Sequence, residues 1–187
     1  MTPRGPEWIS IPCGTNLKRL INEVTISDHD WQKDHWNRIN IHYAKAEHFN
    51  LYKDFFEEFY LNRVWTNLSE LNQYLITNIS HKFLNLKAEF TNSVTYQPKG
   101  VRLDRLLDVL KKAGATEYIS GPAAKDYISE EAFVNEKIKL TWMDYSRYPH
   151  YRQQFSTFAH DVSIIDLLFN EGPESIHYIV PQTTSQA

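Results

Sequence analysis

The chain has 187 residues, of which 42% are hydrophobic and 14% aromatic, so it can bury a sizeable core as one domain. Its formal net charge of −3 provides no overall attraction for nucleic acids or anionic membranes. The one cysteine, Cys13, excludes an internal disulfide framework and a cysteine-based zinc site, and no adjacent base marks it as a nucleophile.

The first residues carry no targeting signal that we recognise. Residues 1–12 contain one arginine and lack the apolar segment of a secretory signal peptide. No apolar run along the chain approaches the length of a membrane span. We therefore expect a cytoplasmic protein that neither inserts into a membrane nor binds nucleic acid.

The first half of the chain predicts two short strands followed by three helices. Trp8–Pro12 alternates like a strand, and a second short strand is expected before the first helix. Apolar side chains then recur at helical spacing over about residues 31–46, 48–61 and 69–84. Because these helices separate strand-like segments, they predict an inserted, aromatic-rich helical subdomain over about residues 31–85.

The start of the first helix is rich in histidine and aspartate, which raises the question of a metal site. Two histidine ligands on one helical face should lie four residues apart. His35 and His42 are seven apart, and His29 and His35 are six apart. The sequence therefore predicts no metal site, and we expect His35 to pack at the end of the stripe that begins at Trp31.

The second half alternates between strands and helices. A strand is predicted at Ala88–Val94 and an amphipathic helix at Arg102–Ala113, with Gly114 as its stop. Further elements follow in the order strand, short helix, strand and helix: Thr116–Ser120, Ala123–Tyr127, Ile138–Ser146 and Val162–Asn170. This alternation predicts an α/β fold with a parallel-type sheet and covering helices. We expect one domain over residues 1–180 and a disordered tail over 181–187.

One candidate ligand site is the segment "TEYISGPAAKDYI", Thr116–Ile128. If its strand is parallel, Ser120–Pro122 lies at the carboxyl end, where open α/β sheets bind ligands. Gly121 permits unusual backbone angles and close ligand approach, and Pro122 suits the first position of a helix.

The residues after Pro122 add donors to this candidate site. The free N–H groups of Ala123, Ala124 and Lys125 would point outward, as an anion site requires. The segment therefore predicts a phosphate or carboxylate site formed by Ser120, Gly121, Lys125 and Asp126. Gly, Pro and Ser also occur in ordinary strand-to-helix turns, so a purely structural role stays open.

A second candidate is the tyrosine-rich loop "MDYSRYPHYRQQF", which leaves the end of the next strand. The aromatic faces of Tyr145, Tyr148 and Tyr151 could stack on a sugar or a base. Asp144 could orient a hydroxyl or act as a base, and the unperturbed pKa of a histidine such as His150 suits proton transfer. The alternative is a buried tyrosine that only holds the loop.

Asp166 lies inside the apolar stretch "VSIIDLLFNEG". A carboxylate in such a helix must be paired or must line a cavity. The sequence contains no Walker loop, no G-x-G-x-x-G fingerprint and no Ser-His-Asp order. From the residues alone, the prediction is an α/β domain with one polar ligand edge and no recognisable cofactor motif.

Several motifs together resemble the WbqC-like protein family. "GATEYISGPAAKDYI", "WMDYSRYPHYRQ" and "VSIIDLLFNEGPES" resemble the carboxyl-terminal half of that family in order and spacing. "DWQKDHWNRINIHYAKAEHFNLY" and "LNQYLITNIS" resemble its middle. The resemblance runs from about Trp8 to Ile179, and it is the ordered set that makes it specific.

The resemblance implies a bacterial protein of surface-polysaccharide or O-antigen gene clusters. It suggests a transferase that acts on a sugar or nucleotide sugar, with an amino acid such as glycine as the transferred group. Two non-enzymatic alternatives are a nucleotide-sugar or glycan-binding module, and a scaffold that uses the aromatic helices between Trp31 and Phe59. Within the set, Arg152 stands where the family often has proline.

Family members usually begin with a strand and a "HQPNYLPW"-like motif, which this sequence lacks. We therefore expect an amino-terminally truncated chain that could be inactive alone. The missing motif resembles the phosphate-binding histidine segment of nucleotidylyltransferase-like Rossmann folds. By that analogy at the level of the fold, "ISGPAAKDYI" would be the second half of a nucleotide or phosphate site.

Overall fold

The computed structural model describes residues 1–155 and 157–179. Contacts between residues divide the chain into two compact units. The larger unit consists of Met1–Ala88 and Tyr148–Ala187, and the smaller unit consists of Glu89–Arg147. The assignment of a single domain stays a prediction, and the tail at 181–187 lies outside the described residues.

Helices form the larger unit. Their bounds are Asp30–Tyr43 for α1, Phe49–Leu61 for α2 and Leu68–Asn78 for α3, which continues as a π-helical turn at Ile79–Phe83. The last helix of the chain, α6 (Ile164–Glu171), runs into a 3₁₀ segment at Gly172–Tyr178. All four predicted helices of this unit are confirmed.

Aromatic side chains fill the core of the larger unit. Phe56 and Phe59 on α2 and Phe169 on α6 have almost no exposed surface. The rings of Phe56 and Phe169 meet edge to face, with centroids 5.5 Å apart. Trp31 and Trp36 on α1 are buried as well. The aromatic stripes of α1 and α2 thus form the core of this unit.

The predicted strand at Trp8–Pro12 is wrong. These residues pair with no strand, and the Trp8 side chain is 93% exposed. The second predicted strand reduces to one antiparallel bridge between Thr25 and Asn67. Alternating side chains favour a strand only where a neighbouring strand offers a ladder, and none of the described residues provides one here.

The smaller unit contains the sheet. Helix α4 (Arg102–Lys112) ends before Gly114, whose φ of +67° fits the predicted stop. Strand β1 (Glu117–Ser120), helix α5 (Glu130–Asn135) and strand β2 (Lys139–Trp142) follow. The strands pair in parallel, with Glu117 opposite Lys139 and Ser120 opposite Trp142. The predicted parallel pairing is therefore confirmed.

The strand predicted at Ala88–Val94, at the start of the smaller unit, is wrong. The chain there is irregular and leads into a 3₁₀ turn at Ser93–Tyr96. The Asn92 side chain accepts a hydrogen bond from the Val94 N–H, a local bond that favours a turn over a strand. Within the described residues the only sheet is thus β1–β2, which makes the fold a mainly helical α/β arrangement.

A small apolar core supports the sheet. Phe133 of α5 is fully buried, and Leu107 of α4 and Ile138 join it. The Tyr118 ring stacks on Phe133 at 5.6 Å.

Among the described helices, none combines the length and the apolar character that crossing a bilayer requires.

Candidate functional site

The carboxyl ends of β1 and β2 bring two predicted site segments together. The Met143 N–H donates to the Ser120 carbonyl at 2.8 Å, so the chain after each strand leaves from one edge of the sheet. A Cβ on Gly121 would lie 3.3 Å from the Tyr145 hydroxyl. The predicted meeting of the Ser120–Lys125 turn with the Asp144–Tyr145 loop is therefore confirmed.

The backbone of the turn differs from the expected anion site. Gly121 has φ −70° and ψ 153°, an ordinary extended conformation that any residue adopts. Pro122 does open the next segment, but that segment is five residues of 3₁₀ helix, Pro122–Asp126. The Ala124 N–H donates to the Gly121 carbonyl at 3.1 Å. The expectation of free, outward N–H groups is thus wrong for Ala124.

The side chains of the turn differ in their access to solvent. Ser120 is 6% exposed, so its hydroxyl does not lie open at the edge of the sheet. Lys125 and Asp126 are exposed. The Lys125 ammonium lies 5.5 Å from the centre of the Trp142 ring, a cation–π arrangement that holds the charge beside the end of β2.

Asp144 is already engaged by its own loop. Its Oδ1 accepts hydrogen bonds from the Ser146 N–H at 3.0 Å and the Ser146 hydroxyl at 2.6 Å, and its Oδ2 pairs with Arg147 at 3.1 Å. These bonds to Ser146, and then the Arg147 charge, lower the pKa of the Asp144 carboxyl. A carboxylate with a lowered pKa is a weaker proton acceptor, so the geometry favours Asp144 as a hydrogen-bond acceptor.

The remaining predicted residues, Tyr148, His150 and Tyr151, belong to the larger unit. The exposed His150 ring stacks on Phe158 with centroids 4.2 Å apart, and His160 meets His150 edge-on at 4.9 Å. Tyr151 packs edge-on against Phe158 at 5.3 Å. His150 is therefore held by aromatic contacts at the surface of its unit.

Asp166 is a buried carboxylate of the larger unit that accepts three side-chain hydrogen bonds. It is 1% exposed. The hydroxyl of Tyr43 donates to its Oδ1 at 2.7 Å. Its Oδ2 accepts from the Tyr151 hydroxyl at 2.7 Å and from the Gln153 amide at 2.9 Å. The pairing that the sequence required for Asp166 is thus present, and it fixes the tyrosine-rich loop to α1 and α6.

This network engages the Tyr151 hydroxyl and includes two residues that sequence reasoning missed. The Tyr151 hydroxyl is bonded to Asp166, so this tyrosine holds the loop, as in the structural alternative. Tyr43 is the last residue of α1, and nothing local in the sequence marks its hydroxyl as a partner of Asp166. The Gln153 amide also contacts both the carbonyl and the N–H of Ala159, and nothing local in the sequence marks it.

Burial and the Asp166 carboxylate together raise the pKa values of Tyr43 and Tyr151 above the usual value for tyrosine. A tyrosine whose pKa is higher in the folded than in the unfolded protein adds stability that is fully present below the unfolded pKa. This contribution is lost as the pH rises from the unfolded pKa through the folded pKa. We therefore expect the free energy of unfolding to fall above about pH 10, the ordinary tyrosine pKa.

Urea unfolding of wild type and Tyr43→Phe at a series of pH values checks this expectation. The variant should lose stability less steeply, by about 1.4 kcal/mol per pH unit for the one missing proton. Tyr127→Phe is the matched control, because Tyr127 is 73% exposed. Equal slopes for wild type and Tyr43→Phe would contradict the expected role of the buried hydroxyl.

The histidines near the start of α1 form no metal centre among the residues that the structure describes. His35 is buried between the edges of Trp31, at 4.9 Å, and Tyr60, at 6.1 Å. Burial lowers the pKa of its imidazole. The predicted packing of His35 at the Trp31 stripe is confirmed.

Comparison with known proteins gives the family. The model of the WbqC-like protein family matches residues 1–178, so the chain belongs to this family. The chain is also similar to the protein named "Uncharacterized protein Rv1507c" from Mycobacterium tuberculosis (strain ATCC 25618 / H37Rv). The two are 37% identical over 180 residues, which cover 95% of this chain and 78% of the relative. No solved structure matches significantly.

Proposed function

We propose that this chain acts in the cytoplasm in the biosynthesis of bacterial surface polysaccharides such as O antigen. It would be a transferase that acts on a sugar or nucleotide sugar, with an amino acid such as glycine as a candidate for the transferred group. The observation that carries this proposal is the shared carboxyl edge of β1 and β2, where open α/β sheets bind ligands.

The proposed roles follow from the chemistry of the groups at that edge. Lys125, exposed beside Trp142, would bind a phosphate of the substrate. The glycine at position 121 leaves the space in front of the Tyr145 hydroxyl without a side chain. Asp144 would accept a hydrogen bond from a sugar hydroxyl. The β1–α5–β2 arrangement is also the unit from which Rossmann-like folds are built, and we propose such a fold here.

His150 is the proposed proton carrier. Its ring is exposed and is held in place by stacking on Phe158. An imidazole is the side chain whose unperturbed pKa best suits proton transfer near neutral pH. Tyr148 would contact the acceptor.

Binding of nucleotide sugars tests the phosphate role. We expect saturable binding by the wild-type chain and about tenfold weaker binding by Lys125→Ala, because a charge-assisted bond to phosphate is lost. Lys139→Ala is the matched control: Lys139 is an exposed lysine at the opposite, amino end of the sheet, paired with Glu117 at 2.9 Å. Calorimetric titration of the three proteins measures the difference. Equal affinities for wild type and Lys125→Ala would remove Lys125 from the site.

Gly121→Ala offers a second test that does not alter charge. Its new Cβ would lie 3.3 Å from the hydroxyl of Tyr145, a half-exposed side chain that can give way, and the φ of Gly121 needs no glycine. The variant should therefore fold normally and lose affinity for a ligand that approaches this backbone. Unchanged affinity in a folded variant would contradict close approach at Gly121.

A second candidate function is a non-catalytic nucleotide-sugar or glycan-binding module. One observation favours it: Asp144 is engaged by Ser146 and Arg147, and its lowered pKa makes it a poor base. Incubation with nucleotide sugar, acceptor sugar and glycine, followed by mass spectrometry of the products, separates the two candidates. Turnover supports the transferase, and saturable binding without turnover supports the binding module.

A further inference from the structure

A polar cavity of about 330 Å³ lies within the larger unit. Three segments line it: the Lys45–Glu47 connection between α1 and α2, the Arg152–Gln154 stretch of the tyrosine-rich loop, and Asn170 near the end of α6. None of these residues belongs to the sheet edge discussed above. The volume falls at the lower end of small-molecule sites, roughly 300–1,000 Å³. It therefore suits one sugar-sized molecule better than a nucleotide sugar.

The walls of the cavity are held by hydrogen bonds that precede any ligand. The donors and acceptors around Gln154 orient its amide so that the nitrogen donates to the His42 carbonyl and the oxygen accepts from the Ala46 N–H, both at 2.9 Å. Gln153 is bonded to Asp166, and the Arg152 N–H donates to a Glu171 carboxylate oxygen at 3.0 Å. These bonds fix the backbone around Arg152 and the side chains of Gln153 and Gln154. The exposed Lys45 and Arg152 side chains would be ordered by the ligand.

The two cationic side chains of the lining, Lys45 and Arg152, are exposed. Within residues 1–155 and 157–179, the Lys45 ammonium and the Arg152 guanidinium have no ion-pair or hydrogen-bond partner. The Asn170 side-chain N–H donates to the Asp166 carbonyl at 2.7 Å, and no residue that the structure describes donates to its side-chain oxygen. Among the described residues of the lining, Glu47 is the one acidic side chain, against the two cations Lys45 and Arg152.

Two cations and a free acceptor favour a ligand that combines a negative charge with hydroxyl groups. A guanidinium and an ammonium donate charge-assisted hydrogen bonds to phosphate or carboxylate oxygens. The Asn170 oxygen and the Glu47 carboxylate can accept hydrogen bonds from sugar hydroxyls. We propose that this cavity binds an anionic monosaccharide, such as a sugar phosphate. This inference does not depend on the transferase activity or on the sheet edge.

Titration of the full chain with glucose 1-phosphate, inorganic phosphate and glucose tests the proposal. We expect saturable binding of glucose 1-phosphate, and about tenfold weaker binding of it by Arg152→Gln. Lys33→Gln is the matched control, because Lys33 is an exposed cation about 15 Å from the carboxyl end of α1 by helical rise. Its affinity for glucose 1-phosphate should equal that of the wild type.

Each result of the titration decides the matter. Selective loss in Arg152→Gln, with weak binding of both glucose and inorganic phosphate, supports an anionic-sugar site. Equal binding of inorganic phosphate and glucose 1-phosphate overturns the role of the sugar. Absent binding, or equal losses in Arg152→Gln and Lys33→Gln, overturns the site. Chemical-shift mapping of the Asn170 side-chain amide keeps the test independent of the substitutions, because bound sugar should shift that signal.

Discussion

Replacing Gly172 by alanine should lower the free energy of unfolding of the larger unit by about 3 kcal/mol. Gly172 ends α6 with φ +57° and ψ −132°, a conformation that strains any residue with a side chain. The added Cβ would lie 2.5 Å from Cγ and 2.6 Å from Nδ1 of the His48 ring. The backbone N–H of His48 is bonded to the Phe169 carbonyl at 3.0 Å. Because this bond holds the His48 backbone in place, the clash can be relieved only by rotating the ring out of its present position.

Gly14→Ala separates the backbone strain from the clash. Gly14 belongs to the same unit and has φ +69°, but a Cβ there would meet nothing within 4 Å. Gly14→Ala should therefore lower the free energy of unfolding by only about 1 kcal/mol. Combining Gly172→Ala with His48→Ala should restore part of the stability, because the clash disappears while the strain remains. Denaturant unfolding compares the wild type, the two glycine variants and the double variant. Equal losses of stability in Gly172→Ala and Gly14→Ala would show that His48 is no obstacle.

Replacing Asp166 by alanine should cost about 4 kcal/mol of stability. The change leaves the hydroxyls of Tyr43 and Tyr151 without an acceptor. It also removes one acceptor of the Gln153 amide, which keeps its bond to the Ala159 carbonyl. Asp166→Asn keeps the shape and one acceptor oxygen, so it should cost about half as much. Asp161→Ala is the matched control, an exposed aspartate just before α6, and should change stability by less than about 0.5 kcal/mol.

A double-mutant cycle shows whether the loss comes from the network. In the Asp166→Ala background, Tyr151→Phe should be nearly neutral, because its hydroxyl no longer has an acceptor to lose. In wild type the same change should cost about 1–2 kcal/mol. Equal costs in both backgrounds would contradict the network. Because Gln153 and Tyr151 flank Arg152, loosening them should also weaken the proposed binding of sugar phosphate.

The sequence predicts the local elements of this protein well. Apolar side chains at helical spacing locate α1, α2 and α6 to within a few residues, because that spacing is required for any helix that packs on a core. It also predicts the parallel pairing of β1 with β2, since a helix between two strands enforces a crossover. The shared edge with the Ser120 turn and the Asp144 loop follows from that pairing.

The errors occur where a local pattern needs a distant partner. Trp8–Pro12 alternates like a strand but has no strand to pair with among the described residues. Residues 8–10 therefore remain exposed, and only Ile11 packs partly against the core. Gly121 suggests unusual backbone angles, yet it adopts an ordinary extended conformation. The Tyr145 hydroxyl lies 3.3 Å from where a Cβ on Gly121 would be, a neighbour that the sequence does not place. The free N–H groups expected after Pro122 are partly used in a 3₁₀ turn, because the turn is too short to become an α-helix.

By itself, the sequence determined the helices, the parallel strands, the glycine stops and the resemblance to the WbqC-like family, because each depends on residues close together or on an ordered set of motifs. It also showed that Asp166 needs partners. Only the tertiary structure decided which partners these are, since Tyr43 lies 123 residues from Asp166. The polar cavity likewise joins segments on either side of the smaller unit in the chain, and no periodicity in the sequence encodes such a meeting.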